Sequence, residues 1–456
     1  MHKRYLQAQI NISSYKYNLN IMFLIILIFL PSFLYGGNNN NAFFASTLIL
    51  QIYFIKNIKY IYFSNDKNFL KWNFILIIYL CFQISPYSTH IIDYFSKSYI
   101  EVYSLLSEVS YKPIALNPFE ASKNIFLFYN ILLIFLITPQ MITSKKNLNF
   151  IFKLIILIGM LHVLFGLFIE IFDIRKILFI YEKKYYFGSL TGFFINRNNF
   201  SYFLLLIFVI NFYYLGFYKK YFIKNKKTNS KFYQFLTSDL IIYRMTLIFI
   251  SVGIILTKSR AGNLSFFLVL FLIIFIEFFR EKKINFNILI ILSVLLLDLL
   301  FLSNLLGLEK LMERISATTI DGEASRLSVF KIGLTEFTNF PIFGFGQGGF
   351  EILYRLRHDI YSHFYNHVHN DFIQYLGEFG IIGISVLILW LYQIYKIFLK
   401  NFYNRIYEIN MMIILVVFIT LVHGNLDFAL HIPANFYFLF FILSLSFTKI
   451  KKSISN

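Results

Sequence analysis

Apolar runs recur along the whole chain, each closed off by a short polar stretch. They lie near residues 21–36, 42–55, 71–88, 124–143, 149–172, 199–217, 240–257, 263–279, 284–303, 371–395, 409–424 and 434–448. Each is continuous rather than alternating, which excludes the short two-faced strands of a membrane barrel. In a bilayer core no water is at hand, so a spanning run has to satisfy its own backbone, and a helix does so. The pattern predicts an all-α polytopic membrane protein of about 12 transmembrane helices. It reads as a single transmembrane domain over 1–456, with a long loop at 304–370 between spans 9 and 10 and no second soluble domain. Within that loop, residues 324–339 carry apolar side chains at 327, 329, 330, 333 and 337. That helical spacing predicts an amphipathic helix lying over the bundle. The first run follows a long basic segment and precedes no A-x-A cleavage site, so it is expected to be a retained helix.

Composition agrees. The chain is 58% hydrophobic and 14% charged, whereas soluble domains carry about a quarter charged residues. The formal net charge of +19 would suit either nucleic acid or anionic lipid, and its distribution decides. With Lys3, Arg4 and Lys16 in the cytoplasm, every second loop falls on the same side. Those loops hold most of the remaining Lys and Arg, such as Lys145, Lys146, Arg280, Lys282 and Lys283. The surplus is therefore topological: membrane lipids are expected as neighbours and nucleic acid is not. The single cysteine, Cys81, excludes a disulfide framework or a cysteine-based metal site within the chain.

Cations on the opposite, translocated side run against the sidedness rule and so need a reason. Lys258 and Arg260 sit in Lys-Ser-Arg-Ala-Gly, between two spans with almost no loop. Arg197 and Asn198 stand at the mouth of the sixth span. Arg326 opens the amphipathic segment, and Arg355 and Arg357 follow in the same loop. Guanidinium forks match phosphate oxygens in bidentate fashion, so several at one surface suit a lipid pyrophosphate; a lone Arg more often snorkels to headgroups. For Arg260 the short loop and the small neighbours Ser259, Ala261 and Gly262 favour a ligand.

Histidines cluster just before the tenth span, at His363, His367 and His369. His363 and His367 are four apart, but no metalloprotease-type signature accompanies them, and no metal or other cofactor is expected. His369 precedes a long helix for which Asn370 and Asp371 are cap candidates. The positive helix end disfavours an imidazolium, which suits a general base; a plain capping role explains the residue equally well. Gly377, Gly380 and Gly383 suggest close helix packing. Gly344-Phe-Gly346-Gln-Gly-Gly349 lacks the strand–helix context of a dinucleotide site and reads as a turn. His423, Asp427 and His431 either line the same cavity or are ordinary interfacial polarity.

In this order, these residues resemble the O-antigen ligase family, the bacterial polysaccharide ligases and polymerases of the Wzy/WaaL type. The most specific part is His369-Asn370, nine residues, then Gly380-Ile-Ile-Gly383. It is joined by Gly192-x-Phe-x-Asn196-x-Asn198, Thr257-Lys-Ser-Arg-Ala-Gly262, Arg326 with Pro341-Ile-Phe-Gly-Phe-Gly346, and His423-Gly-Asn-Leu-Asp427 ahead of Pro433. The resemblance runs from about 190 to 435 and implies a GT-C-type, inverting, metal-independent glycosyltransferase of the bacterial inner membrane, with its site facing the periplasm. It implies an undecaprenyl-pyrophosphate-linked glycan as donor and lipid A–core, or another glycan, as acceptor. Relatives polymerise repeat units or act as protein O-oligosaccharyltransferases. By position, the resemblance makes His369 the catalytic base, Arg260 the pyrophosphate ligand and Arg326 its partner from the loop. Lys258, Arg197, Asn198, Asn370, Arg355 and Arg357 are the substrate-binding candidates beside them. A transporter of lipid-linked glycans is the reading from a different class; it calls for charges near the midplane, whereas these gather at the mouth.

Overall fold

A computed structural model describes residues 20–57, 66–106, 111–177, 181–183, 185–222, 240–281, 326–358, 364–448 and 450. The predicted span at 284–303, the first part of the long loop (304–325) and His363 lie outside these residues. Every other predicted span coincides with a helix. In chain order the helices are α1 (Asn20–Phe33), α2 (Asn40–Asn57), α3 (Lys67–Ile84), α4 (Thr89–Phe95), α5 (Lys97–Leu106), α6 (Pro118–Met141), α7 (Lys145–Ile171) and α8 (Arg197–Phe222). They continue with α9 (Ile241–Leu256), α10 (Arg260–Glu281), α11 (Arg326–Asn339), α12 (Gly349–Arg357), α13 (Asp371–Asn401), α14 (Tyr407–Gly424) and α15 (Pro433–Ser444). Among the described residues, strand is confined to two short antiparallel pairs, Pro86–Ser88 with Tyr111–Pro113 and Lys176–Ile177 with Tyr181–Glu182.

Among the described residues, α6, α7, α8, α10, α13 and α14 are long and apolar enough to cross a membrane, and α1, α9 and α15 are shorter apolar helices. By length and composition alone this is fewer than the twelve crossings expected. Several helices start outside their apolar run because polar caps start them. Asn117 accepts from Glu120 N at 3.2 Å ahead of Pro118, and Ser144 accepts from Asn147 N at 3.2 Å. Hydropathy registers only the apolar stretch, whereas capping sets where the helix begins.

The centre of the bundle is α8, whose side chains from Asn198 to Leu215 are buried throughout. Helices α7, α10 and α13 lean on the bundle with one side only. Their free sides carry Leu157, Leu161, Phe168, Phe271, Phe275, Ile381 and Ile388, all exposed. Rows of exposed apolar side chains on this scale are not a soluble surface; they are what an all-α membrane protein presents to lipid.

At one end the connecting segments build a cap with a small core of its own. Ile92, Tyr99 and Val102 of α4 and α5 pack with Val329 and Phe340 around α11, Phe350 and Leu353 of α12, and Phe345 and Val368 between elements. The amphipathic helix expected at 324–339 is α11. Its buried row is Val329, Gly333 and Glu336, so Leu327, expected on the apolar face, is half exposed. Arg326 takes the inward direction at the start of α11, and the next residue lies a third of a turn around from it.

Gly380 interrupts α13 with φ 60° and ψ −176°. The break frees carbonyls that the turn after Pro341 then takes up. Phe345 N donates to Gly377 O at 2.9 Å and Gly346 N to Glu378 O at 3.0 Å, while Ile381 N and Ile382 N donate back to Pro341 O and Ile342 O. Gln83 Nε2 adds a bond to Glu378 O at 2.8 Å. Gly377 and Gly383 serve close packing, against Phe345 and Tyr79, as the spacing suggested; Gly380 is instead a backbone joint. A side chain there would overlap the backbone of Gly344 and Ile342, and the conformation itself is essentially restricted to glycine. Gly380→Ala is expected to destabilise the fold by at least about 1–3 kcal/mol, read as a lower melting temperature in detergent. An unchanged melting temperature would mean that the joint does not hold the cap.

Candidate active site at the start of α13

The residue before the α13 cap, His369, has φ 57°, a left-handed conformation that His adopts more readily than most residues. Asn370 is the cap: its Oδ1 accepts from Phe372 N at 3.0 Å and Ile373 N at 3.1 Å. The cap candidate Asp371 is instead the first helical residue. With Asn370 filling that role, the His369 ring is left for other work. It sits edge-on to Tyr365 and Phe428, with ring centroids 5.8 and 4.9 Å away.

His369 Nδ1 lies 3.2 Å from Asp427 Oδ1. Asp427 is fully buried in the turn after α14 and also accepts from Phe428 N at 2.9 Å. Arg326 reaches across from the start of α11, donating to Leu426 O at 2.6 Å and standing 3.3 Å from Asp427 Oδ2. Asn198 Nδ2, at the start of α8, donates to the same Oδ2. Burial alone would raise the Asp427 carboxyl, but the hydrogen bond from His369 and the nearby Arg326 guanidinium outweigh it and hold the group below the usual carboxylate range. An ionised carboxylate only accepts, so Nδ1 carries the proton of a neutral His369 and Nε2 keeps its lone pair. The His369 side chain retains a fifth of its surface exposed, so that lone pair is within reach of a substrate.

A second group of cations adjoins this one. Arg197 donates to Ser189 Oγ at 3.2 Å, and its guanidinium lies 5.2 Å from the Tyr186 ring centre. Tyr186 has φ 63° and is half-buried; burial and the nearby Asp427 carboxylate raise its phenol above the ordinary value. It therefore belongs to the site, although nothing in its sequence context singled it out. Lys258 also has a positive φ, 52°, and its ammonium faces the backbone of Gly188.

Ser259 starts α10: its Oγ accepts from Gly262 N at 3.0 Å, and its own N donates to Thr257 Oγ1 at 3.2 Å. Arg260 is thereby the first helical residue, with its side chain exposed. Ser259 and Ala261 are buried, and a side chain on Gly262 would overlap Ser201 Oγ. The small neighbours thus serve the approach of α10 to α8, one turn from Asn198.

Arg355 and Arg357 are differently engaged. Arg355 pairs with Glu351 at 2.8 Å and covers the Phe364 ring. Arg357 pairs with Glu336 at 2.6 Å and Glu101 at 3.3 Å. Neither shares a partner with the His369 cluster. His367 is half-buried and bonded to Gln374, and its removal from solvent pushes it down to about 3, so it is a neutral structural imidazole.

The structure therefore brings His369, Asp427, Arg326 and Asn198 into one hydrogen-bonded cluster, with Arg197 and Tyr186 beside it. No curated protein matches the chain. Residues 245–388, which carry Arg260, Arg326, His369 and the helix break, match the family model described as O-antigen ligase, and this match supports assigning that part of the chain to the O-antigen ligase family.

Proposed function

We propose that the protein transfers a glycan from undecaprenyl pyrophosphate to a hydroxyl of lipid A–core, on the periplasmic face of the inner membrane, with inversion and without a metal. The observation that carries this is the single buried carboxylate shared by an imidazole and a guanidinium, Asp427 between His369 and Arg326. The match of residues 245–388 to the O-antigen ligase family model supports glycosyl transfer in general.

In the reaction the acceptor oxygen bonds to the anomeric carbon of the donor as the carbon–oxygen bond to pyrophosphate breaks. The electron pair of that bond leaves on the pyrophosphate oxygen, and the acceptor proton goes to His369 Nε2. Arg260 and Arg326, with Lys258 and Arg197 assisting, stabilise the charge growing on the leaving group. Asn198 and Asn370 hold the framework through Asp427 and the α13 cap. α11, which lies within the region 304–370, supplies Arg326. A repeat-unit polymerase or a protein O-oligosaccharyltransferase would use the same donor chemistry with another acceptor.

The test is transfer by purified protein in detergent, with donor and with each acceptor class, in the presence and absence of chelator. Arg260→Lys is expected to lower kcat by about 10²–10³, nearly as far as Arg260→Ala, because an ammonium lacks the fork. Parent-level transfer by Arg260→Lys would remove the bidentate role. Full activity on a glycan chain or a protein, with none on lipid A–core, would reassign the acceptor.

A further inference from the structure

Behind His369 lies a second charged group that the transfer chemistry leaves unused. His431 ends the short turn that follows Asp427, and it is buried between two carboxylates of α13. Its Nδ1 is 2.7 Å from Asp371 Oδ1 and its Nε2 is 3.1 Å from Glu378 Oε2. Both carboxylates are fully buried. Burial alone would lower the imidazole, yet Glu378 and Asp371 on either side push it up to about 10, so the ring is a cation clamped between two anions. The other polar and titratable groups around it are Tyr375 of α13, stacked at 4.4 Å, and His367, 5.7 Å away between ring centroids. Tyr202 of α8 lies near the Asp371 end, within reach of its charge.

From this ring the bonds run to both flanks of the catalytic pair. On one side, Asp371 Oδ2 accepts from Leu430 N at 3.0 Å, and Asp371 N donates to Asp427 O at 3.2 Å. On the other, Glu378 Oε1 accepts from Gln374 Nε2 at 2.9 Å, and Gln374 Oε1 accepts from Val368 N at 3.1 Å. Val368 immediately precedes the left-handed backbone of His369. The Gly380 break and the docked turn after Pro341 fix the backbone of Glu378 itself.

We propose that His431 is a positioning residue for transfer: the Asp371–His431–Glu378 clamp locks the Asp427 turn and the Val368–His369 segment onto one helix end, and so sets the bond between His369 and Asp427. This rests on His369 being the base. A buried cation between two anions is a poor source of net stability, but removing it leaves two carboxylates facing each other, and the elements they hold must part. A shift of about 1 Å at a reacting group costs up to about a hundredfold in rate.

The experiment compares His431→Gln with Glu378→Gln/His431→Gln, which returns the cluster to its original net charge. Donor and acceptor titrations are run on each purified protein, with melting curves alongside. His431→Gln is expected to lower kcat by between about tenfold and a hundredfold, with a smaller change in KM for the donor, because Arg260 is held on α10 and only Arg326 is bonded to the Asp427 turn. The double variant is expected to regain part of kcat. A role in folding alone would instead lower the yield or melting temperature and leave kcat per folded molecule at the parent value; that result overturns the proposal. If His431→Gln does not fold, a double variant that folds and turns over like the parent overturns it too. Should His369→Ala itself transfer normally, the failure lies with the base assignment, whatever the His431 variants do.

Discussion

His369→Ala is expected to lower kcat by about 10²–10⁴ while the donor still binds with about its original affinity. In the proposed reaction the proton of the acceptor hydroxyl has no second base in the cluster, since the Asp427 carboxylate is buried and already bonded to His369, Asn198, Arg326 and its own chain neighbour. Pyrophosphate recognition is assigned to guanidinium groups and does not pass through the ring. Because the backbone at 369 is left-handed, with φ 57°, alanine carries a conformational cost as well; His369→Asn tolerates that backbone and separates loss of the base from loss of the local fold. Donor binding, followed with a labelled lipid pyrophosphate, and single-turnover transfer are the two measurements. Loss of donor affinity in His369→Asn would place the imidazole in binding rather than in proton transfer.

Asp427→Asn is expected to be nearly as damaging, with kcat down by about 10³–10⁴. The amide keeps the shape and loses the charge that Arg326 and His369 share. It also offers a donor where only acceptors fitted, so the His369 ring is free to present the wrong nitrogen. Because Arg326 loses its partner in the same step, a weaker hold on the donor is expected beside the fall in kcat. Parent-level kcat in this variant would mean that the carboxylate only supports the turn.

Much of the architecture was legible because hydropathy reports one physical quantity, transfer into lipid, and the helices follow it. The segment at 324–339 was legible for a similar reason, although its buried row proved to include Glu336, which apolar spacing cannot reveal. His369, Arg326 and Asn370 could be singled out from their place at the mouth of the predicted spans and from the ordered motifs. The carboxylate that joins two of them could be named only as cavity lining or ordinary interfacial polarity, and not as their shared partner. Asp427 lies far along the chain in a short turn, and a buried acid looks no different in sequence from an exposed one. Tyr186 was hidden among neighbouring aromatics, and its place depends on a positive φ that no residue type announces. Gly380 suggested packing because helix breaks are rare within a membrane span; the compensating donors come from a turn whose glycines, on their own, said only that the chain bends. The pairing of Arg357 with Glu336 and Glu101 is likewise a matter of which elements meet in the cap.

The joint in α13 bears on how the site meets its substrates. The turn after Pro341 is laced into the interrupted helix by bonds in both directions, so the stretch from Arg326 to His369 closes on itself as a loop of covalent and hydrogen-bonded links. The two groups at its ends cannot drift apart independently. In the proposed reaction, each turnover would then begin with His369 and Arg326 already in register.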